Sequence, residues 1–412
     1  MLKRIRTQQL VLGMHLSEFC GSWMEHPFWR TKFVLTDPAD IDRILASSIQ
    51  EVWIDASKGL DVPPDAPVIL EASSADAIDQ VMQASATGQR DTAEVATAVE
   101  LERAARICAK SRQAVTAMFK EARLGQAVDT AVALHVVQEI TDSVARNGEA
   151  LIGLARIKTI DDYTYMHSVA VCALMVALAR RLGLDEAQTR SAGLAGLLHD
   201  LGKAAMPLSV LNKPGKLTDE EFTLIKSHPA KGHAMLLASN NTDETALDVC
   251  LHHHEKTDGT GYPEGLRGDE ISLFARMGAV CDVYDAITSN RPYKSGWDPA
   301  ESLRKMAGWA EGHFDPKVFQ AFVKSLGIYP VGSLVRLGSG RIAVVMEQGS
   351  GSLLLPRVKV FFSIKKDERI APELVDLSAP GCSEKIVGRE DPAYWRFQDL
   401  NQLWSGRPGQ PW

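Results

Sequence analysis

Apolar and polar positions change rhythm three times along this 412-residue chain. In the first 60 residues the period is close to two. Phe33-Val34-Leu35 reads as a short strand, and Glu51-Val52-Trp53-Ile54-Asp55 alternates like a half-buried one. Between them, Thr36 or Asp37 can cap a helix that starts at Pro38 and sets Ile41, Ile44 and Leu45 on one face. Trp23, Phe28, Trp29 and Phe33 crowd the same stretch and are expected to pack as core. From residue 61 to 93 (VPPDAP, SSADA, ATGQRD) periodicity fades, which predicts a linker. Good helix formers then run from about Ala93 to Asn147, with Val115, Met118 and Phe119 at helical spacing, predicting a long helix that feeds the next unit. Helical text continues to 328, punctuated by Gly183, Pro207, Pro214-Gly215 and the glycines from Gly259 to Gly265. After Tyr329-Pro330 the period returns to two, with strands at Leu334–Leu337 and Arg341–Met346 around Gly338-Ser339-Gly340, and another at Val358–Ile364. The expected fold class is mainly α. Its parts are a small α+β unit (1–65), a linker (66–93), connecting helices (94–149), an all-helical unit (150–328), and a short β appendage with a Gly/Pro-containing tail (329–412).

Charge narrows the function classes. The 45 basic and 52 acidic residues leave a net −7, which argues against broad binding to a nucleic-acid polymer or an anionic membrane. The longest apolar run, Val169 to Ala179, stops at Arg180-Arg181, well short of the roughly 18–20 residues a membrane span needs. No secretory signal opens the sequence, and six scattered cysteines form no C-x-x-C pair. Reduced thiols in the cytoplasm are the expectation.

The candidate chemistry lies in the histidines. Seven of the 11 fall between His167 and His254, where an even scatter would place about two. His199-Asp200 closes the apolar run LAGLLHDLGK, where a buried charged pair is costly unless something compensates it. Neighbouring helical side chains diverge by about 100°, so this pair suits two adjacent metal ions, with Asp200 bridging both. His167 opens another apolar helix. His228 precedes Pro229 and starts a helix, whereas His233, five residues on, is expected to be structural. His252-His253-His254-Glu255 is the densest cluster. Asp282 and Asp285 share one helix face, as ligands or as charges complementing a helix dipole. Imidazole and carboxylate donors without thiolate suit Mn, Fe or Zn. Paired metals of this kind acidify a bridging water and clamp phosphate oxygens in phosphoester hydrolysis. Lys203, one turn beyond Asp200, could steady phosphate charge or protonate a leaving group.

These residues together resemble a family. His199-Asp200 with Lys203, the HHE of His253 to Glu255, DGTGYP from Asp258 to Pro263, and DxxDAxTxxRPY from Asp282 to Tyr293 are similar to the HD-GYP subfamily of HD-domain phosphohydrolases. The resemblance covers about residues 150–328, and the first 60 residues resemble a small domain that often precedes HD-GYP domains in bacteria. It implies an all-helical HD-type domain that hydrolyses cyclic di-GMP to pGpG and sometimes GMP. By position it implies metal ligation by His167, His199, Asp200, His228, His253, His254 and Asp282, with His252 spare. Asp200 and Lys203 would be catalytic, through a hydroxide activated by two metals. Arg291 and Lys294 would contact the phosphates and guanines. Gly261, Tyr262 and Pro263 would form the signature loop, which shapes the site and is linked to GGDEF-domain partners. The implied cofactors are two divalent metals, Fe or Mn first, with Zn, Ni, Mg and Ca as other candidates; a homodimer is a further expectation. Relatives with a third metal carry a glutamate four residues before the first histidine ligand; Tyr163 stands there, so two metals are expected. Lys256-Thr257 replaces a frequent Arg and aromatic. The alternatives are a non-catalytic receptor or scaffold, and a hydrolase of another cyclic dinucleotide. Because imidazoles must be neutral to bind metal, activity should fall below about pH 6.

Overall fold

The computed structural model describes residues 2–20, 32–47, 49–63, 69–70, 95–157, 163–213, 217–239, 243–289, 296–349, 352–397 and 399–406. Trp23, Phe28 and Trp29 lie outside them. The chain is mainly helical between two antiparallel five-stranded sheets.

The first sheet holds β1 (Leu2–Arg6), β2 (His15–Cys20), β3 (Phe33–Val34), β4 (Glu51–Asp55) and β5 (Ile69–Leu70), in the order β3-β2-β4-β1-β5. Helix α1 (Pro38–Leu45) packs on it through Ile44, and Asp37 supplies its cap by accepting from Ala39 N at 2.9 Å. Ile5, Leu16, Phe19, Leu35, Val52 and Ile54 close a core of their own. Ile69–Leu70, within the expected linker, pairs with β1, so the sheet reaches past residue 65.

The expected long helix is two. Helix α2 (Thr97–Arg123) turns at Gly125, whose φ of +76° favours glycine, and returns as α3 (Thr130–Arg156), capped by Asp129. Helix α3 kinks at Asn147, whose backbone leaves helical geometry while its side-chain amide donates to Val95 O and Thr97 Oγ1. The kink falls three residues before the expected start of the main helical unit.

Helix α4 (Tyr163–Arg181) carries the longest apolar run and is buried nearly all round, as a central helix must be. Each of its fully buried Val, Leu and Met side chains contributes about 1.5–3 kcal/mol. Helices α5 (Glu186–Leu198), α6 (Leu208–Leu211), α7 (Asp219–Lys226), α8 (His228–Leu237), α9 (Glu244–His252), α10 (Leu273–Thr288), α11 (Pro299–His313) and α12 (Pro316–Leu326) follow. Most start on a side-chain cap, such as Asp185 with Gln188 for α5, Thr218 with Glu221 for α7, and Asp243 for α9.

The second sheet, β6 (Leu334–Leu337), β7 (Arg341–Glu347), β8 (Arg357–Ser363), β9 (Glu368–Asp376) and β10 (Ile386–Arg389), runs in the order β10-β6-β7-β8-β9. It is more than an appendage. Leu334, Ile342, Val344 and Phe361 join the core of the helices, while Val335, Ala343, Val345 and Val358 build a separate cluster on the other face. The expected tail also folds: α13 (Pro392–Trp395) and α14 (Leu400–Ser405) follow, and Trp404 is buried against Gly153 of α3. Among the described residues, no helix is long and apolar enough to cross a membrane.

Candidate metal centre

Five segments converge on one buried point. His167 comes from the first turn of α4; His199 and Asp200 follow the last residue of α5; His228 opens α8; His253 and His254 follow α9; Asp282 lies within α10. Two glycines set this convergence. A Cβ on Gly202 would lie 1.9 Å from His228 O and 2.5 Å from Gly232 N, so only glycine lets α8 come against the turn after Asp200. A Cβ on Gly196 would lie 2.9 Å from Val171 O, which fixes the close approach of α5 to α4.

Asp200 sits at the middle. Its Oδ2 is 3.4 Å from both His167 Nε2 and His199 Nε2, and its Oδ1 is 3.2 Å from His228 Nε2 and 3.9 Å from His253 Nε2. Asp282 Oδ1 lies 2.9 Å from His167 Nε2, and its Oδ2 lies 3.8 Å from His254 Nδ1. Three donor sets are close enough to share an ion: His167 with His199 and Asp282, His228 with His253 and His254, and His199 with Asp200 and His253. Asp200 therefore stands between two candidate positions.

The proton pattern fits metal. His199, His228 and His253 each place Nδ1 on a backbone carbonyl, of Gly196 at 2.8 Å, Ile225 at 2.7 Å and Val249 at 2.9 Å. A carbonyl only accepts, so these Nδ1 atoms carry the proton and the neutral ring's lone pair is on Nε2. Yet the Nε2 atoms of His228 and His253 face each other at 3.3 Å, as do those of His167 and His199. Lone pairs at that separation repel unless a cation stands between them. Asp200 Oδ1 is buried without a hydrogen bond, a costly state that a metal removes. The residues present fit two divalent ions.

Electrostatics point the same way. Burial pulls His253 down to about 3, aided by His199 and His228 beside it. His254 is also well below the ordinary imidazole value, through burial and the neighbouring His253. His199 moves up: burial opposes its charge, but Asp200 and Asp282 outweigh burial and favour the charged form. Burial would raise Asp200, but Lys203 and His199 hold it well below the usual carboxylate range. Burial likewise loses to the His167 hydrogen bond at Asp282. A centre that draws a proton onto His199 draws a metal in the same way, and the two compete.

Lys203 Nζ is 2.5 Å from Asp200 Oδ2 and its side chain remains partly exposed, so it holds a cation at the solvent side of the bridging carboxylate. Tyr262 stacks on His254 with centroids 4.7 Å apart, and Lys226 Nζ lies 5.1 Å over the Tyr262 ring. Gly261 is needed for close approach rather than for its φ: a Cβ there would lie 2.4 Å from Lys256 N. Gly259 has the positive φ, +78°. Pro263 is exposed at the loop's tip. His252 turns away to Asp248, 2.8 Å, and half-buried His233 belongs to none of the donor sets. Arg291 and Lys294 lie outside the described residues.

Two roles escaped sequence reasoning. Glu255, buried at 2%, accepts from the backbone N–H groups of Glu264, Gly265 and Leu266 at 2.7–3.1 Å and so ties down the loop carrying Tyr262. Asp285 Oδ2 lies 2.6 Å from His167 Nδ1, behind the ligand rather than beside it. The i, i+3 spacing from Asp282 put both acids on one face, but not which one would reach past the histidine.

Two family models meet within α3. Residues 2–133 match a domain of unknown function (DUF3391), and residues 140–318 match the HD domain. The chain is 56% identical over 407 residues to a cyclic di-GMP phosphodiesterase of Pseudomonas aeruginosa, an alignment spanning 98% of this chain and 96% of that protein. It is 40% identical over 43% of its length to a cyclic di-GMP phosphodiesterase response regulator of Xanthomonas campestris, spanning 48% of that protein. A 3'3'-cGAMP-specific phosphodiesterase of Vibrio cholerae is 36% identical over 41% of this chain and 36% of its own.

Proposed function

The chain belongs to the HD-GYP phosphodiesterases of the HD-domain superfamily, and from that premise we propose that it is a metal-dependent enzyme hydrolysing cyclic di-GMP to linear pGpG, with GMP as a further product. The observation that carries the reading is the set of inward Nε2 lone pairs around Asp200, whose Oδ1 has no hydrogen bond of its own.

His167, His199 and Asp282 would hold one divalent ion, and His228, His253 and His254 the other, with Asp200 between them. Bound there, the ions would supply Lewis acidity to the phosphate oxygens and make a coordinated water acidic at neutral pH. Imidazole and carboxylate donors without thiolate suit Mn, Fe or Zn, and the family resemblance puts Fe or Mn first. Two carboxylates do not cancel two divalent cations, so the loaded centre stays positive and attracts a phosphodiester anion. Lys203 pairs with the buried Asp200 carboxylate from its solvent side and supplies a proton donor for the departing 3′ oxygen. Tyr262, held against His254 by the Glu255-anchored loop, offers a flat wall for the substrate, and Lys226 adds a cation beside it. Arg291 and Lys294 remain the proposed phosphate and guanine contacts on the ground of the motif alone.

The exposed loop tip at Thr260, Pro263 and Glu264 supports a docking place for a GGDEF-domain partner, and the exposed Val132 and Leu134 of α3 support pairing of two chains. Six free cysteines support a reducing cytoplasm. The whole-chain likeness to a cyclic di-GMP enzyme outweighs the partial likeness to cGAMP-specific ones. Competitive turnover of the two dinucleotides by the purified protein decides between them.

Asp200→Ala is the central test. Bound metal should fall below one per chain and hydrolysis should drop by on the order of 10³-fold or more, with the helical circular dichroism kept. Near-normal turnover in a folded variant would reject the assignment.

A further inference from the structure

The two candidate metal positions are built from different chemistry. One has His167, His199 and Asp282 with Asp200 Oδ2; the other has three histidines, His228, His253 and His254, with Asp200 Oδ1. The first thus faces two carboxylates and the second one. Their outer partners differ as well. His199, His228 and His253 are oriented by neutral backbone carbonyls. His167 alone among these four is oriented by an acid: Asp285 Oδ2 sits 2.6 Å from its Nδ1, on the ring edge opposite the one that faces Asp200 and Asp282. Asp285 is 2% exposed, and Ser289 Oγ donates to its other oxygen at 3.3 Å.

We propose that Asp285 is a positioning residue that acts through His167 and makes the His167/His199/Asp282 position the tighter of the two. This inference rests on the two-metal reading above. A carboxylate behind an imidazole fixes the tautomer with the lone pair on Nε2, holds the ring's aim, and adds electron density to the donor nitrogen. A backbone carbonyl does the first two and little of the third. Asp285 also adds negative charge near the position that already has more of it. Being on the far side of the ring, it touches neither substrate nor metal.

The experiment is a Mn²⁺ titration of the metal-free full-length protein, read by chelator competition, on wild type, Asp285→Asn and Ser289→Ala. Wild type should show two constants. Asp285→Asn, which keeps an acceptor of the same shape without the charge, should weaken the tighter constant by about 10–100-fold and leave the weaker one unmoved. Ser289→Ala, which leaves the carboxylate in place, should keep both. The inference is overturned if Asp285→Asn moves neither constant, if it weakens both alike, or if Ser289→Ala costs as much. Wild type binding fewer than two Mn²⁺ removes the two-metal reading and this inference with it. Two Mn²⁺ bound with the predicted split but no cleavage of cyclic di-GMP removes the substrate reading alone.

Discussion

The two sheets have the same strand number and the same antiparallel pairing, yet they relate to the helices in opposite ways. The N-terminal sheet closes its core on itself: Ile5, Leu16, Phe19, Val52 and Ile54 pack under α1, and none of them enters the main cluster. It reaches the helical body through the Glu18–Lys305 ion pair. The C-terminal sheet sends alternate residues of β7 two ways, Ile342 and Val344 into the helices and Ala343 and Val345 into its own second cluster. Asp298, the cap of α11, accepts from Leu334 N of β6 at 2.9 Å, and Trp404 lies on Gly153 of α3. The lesson is that apolar continuity, not strand count, decides whether a sheet is a separate body or part of the catalytic unit. A separate body suits a module added in front of an enzyme; a shared core makes the second sheet part of what holds the metal ligands in place.

The largest test sets Trp404→Ala against Phe19→Ala. Each removes a buried aromatic and should cost about 3–5 kcal/mol. In calorimetry, Trp404→Ala should lower the transition at which metal is released. Phe19→Ala should add an earlier, separate transition and leave metal release and hydrolysis unchanged. Equal effects on metal release would end the comparison.

A middle-sized effect concerns the seam at Asp298. Burial raises its carboxyl to about 6 from 3.8, only partly offset by the backbone N–H groups of Leu334, Glu301 and Ala300 and by Arg156. A group raised in the folded state contributes stability below its unfolded value and loses it as pH climbs through the folded value. Wild type should therefore lose about 1–3 kcal/mol between pH 4 and 6 relative to Asp298→Asn, which keeps the acceptor but does not titrate. Denaturant midpoints across that range measure the difference; parallel curves would show that the seam carries no such charge.

The smallest effect is expected at the other junction. Lys305→Ala breaks a partly exposed ion pair and should change stability by about 0–1 kcal/mol, with hydrolysis intact. A loss of several kcal/mol would mean that the N-terminal sheet is bound to the helices more firmly than its core suggests.

Much of this was legible in the residues. Asp37 caps α1, the strands at 51–55 and 334–346 follow their alternation, and seven ligand candidates from five segments converge on one centre. What escaped has specific causes. The expected long helix broke at Gly125 because one glycine inside good helix formers is a weak stop signal, and the return of α3 is decided by packing against α2. β1 and β2 were missed because Leu2–Arg6 and His15–Cys20 bury only one or two residues each, too few to mark a period. Gly202 and Gly232 carry no signal along the sequence, since their role exists only when two backbones meet.

By itself, then, the sequence determined the chemistry: which imidazoles and carboxylates are present, at which spacings, on helices whose apolar faces must be buried. That information is local, since capping, periodicity and donor type act within a few residues. Only the tertiary structure decided that Asp285 stands behind His167 while Asp282 stands beside it, and that one sheet joins the catalytic core while its twin stays apart. Those outcomes depend on contacts between residues more than a hundred positions apart, and they are set by which buried surfaces can close on each other without leaving a polar group unpaired.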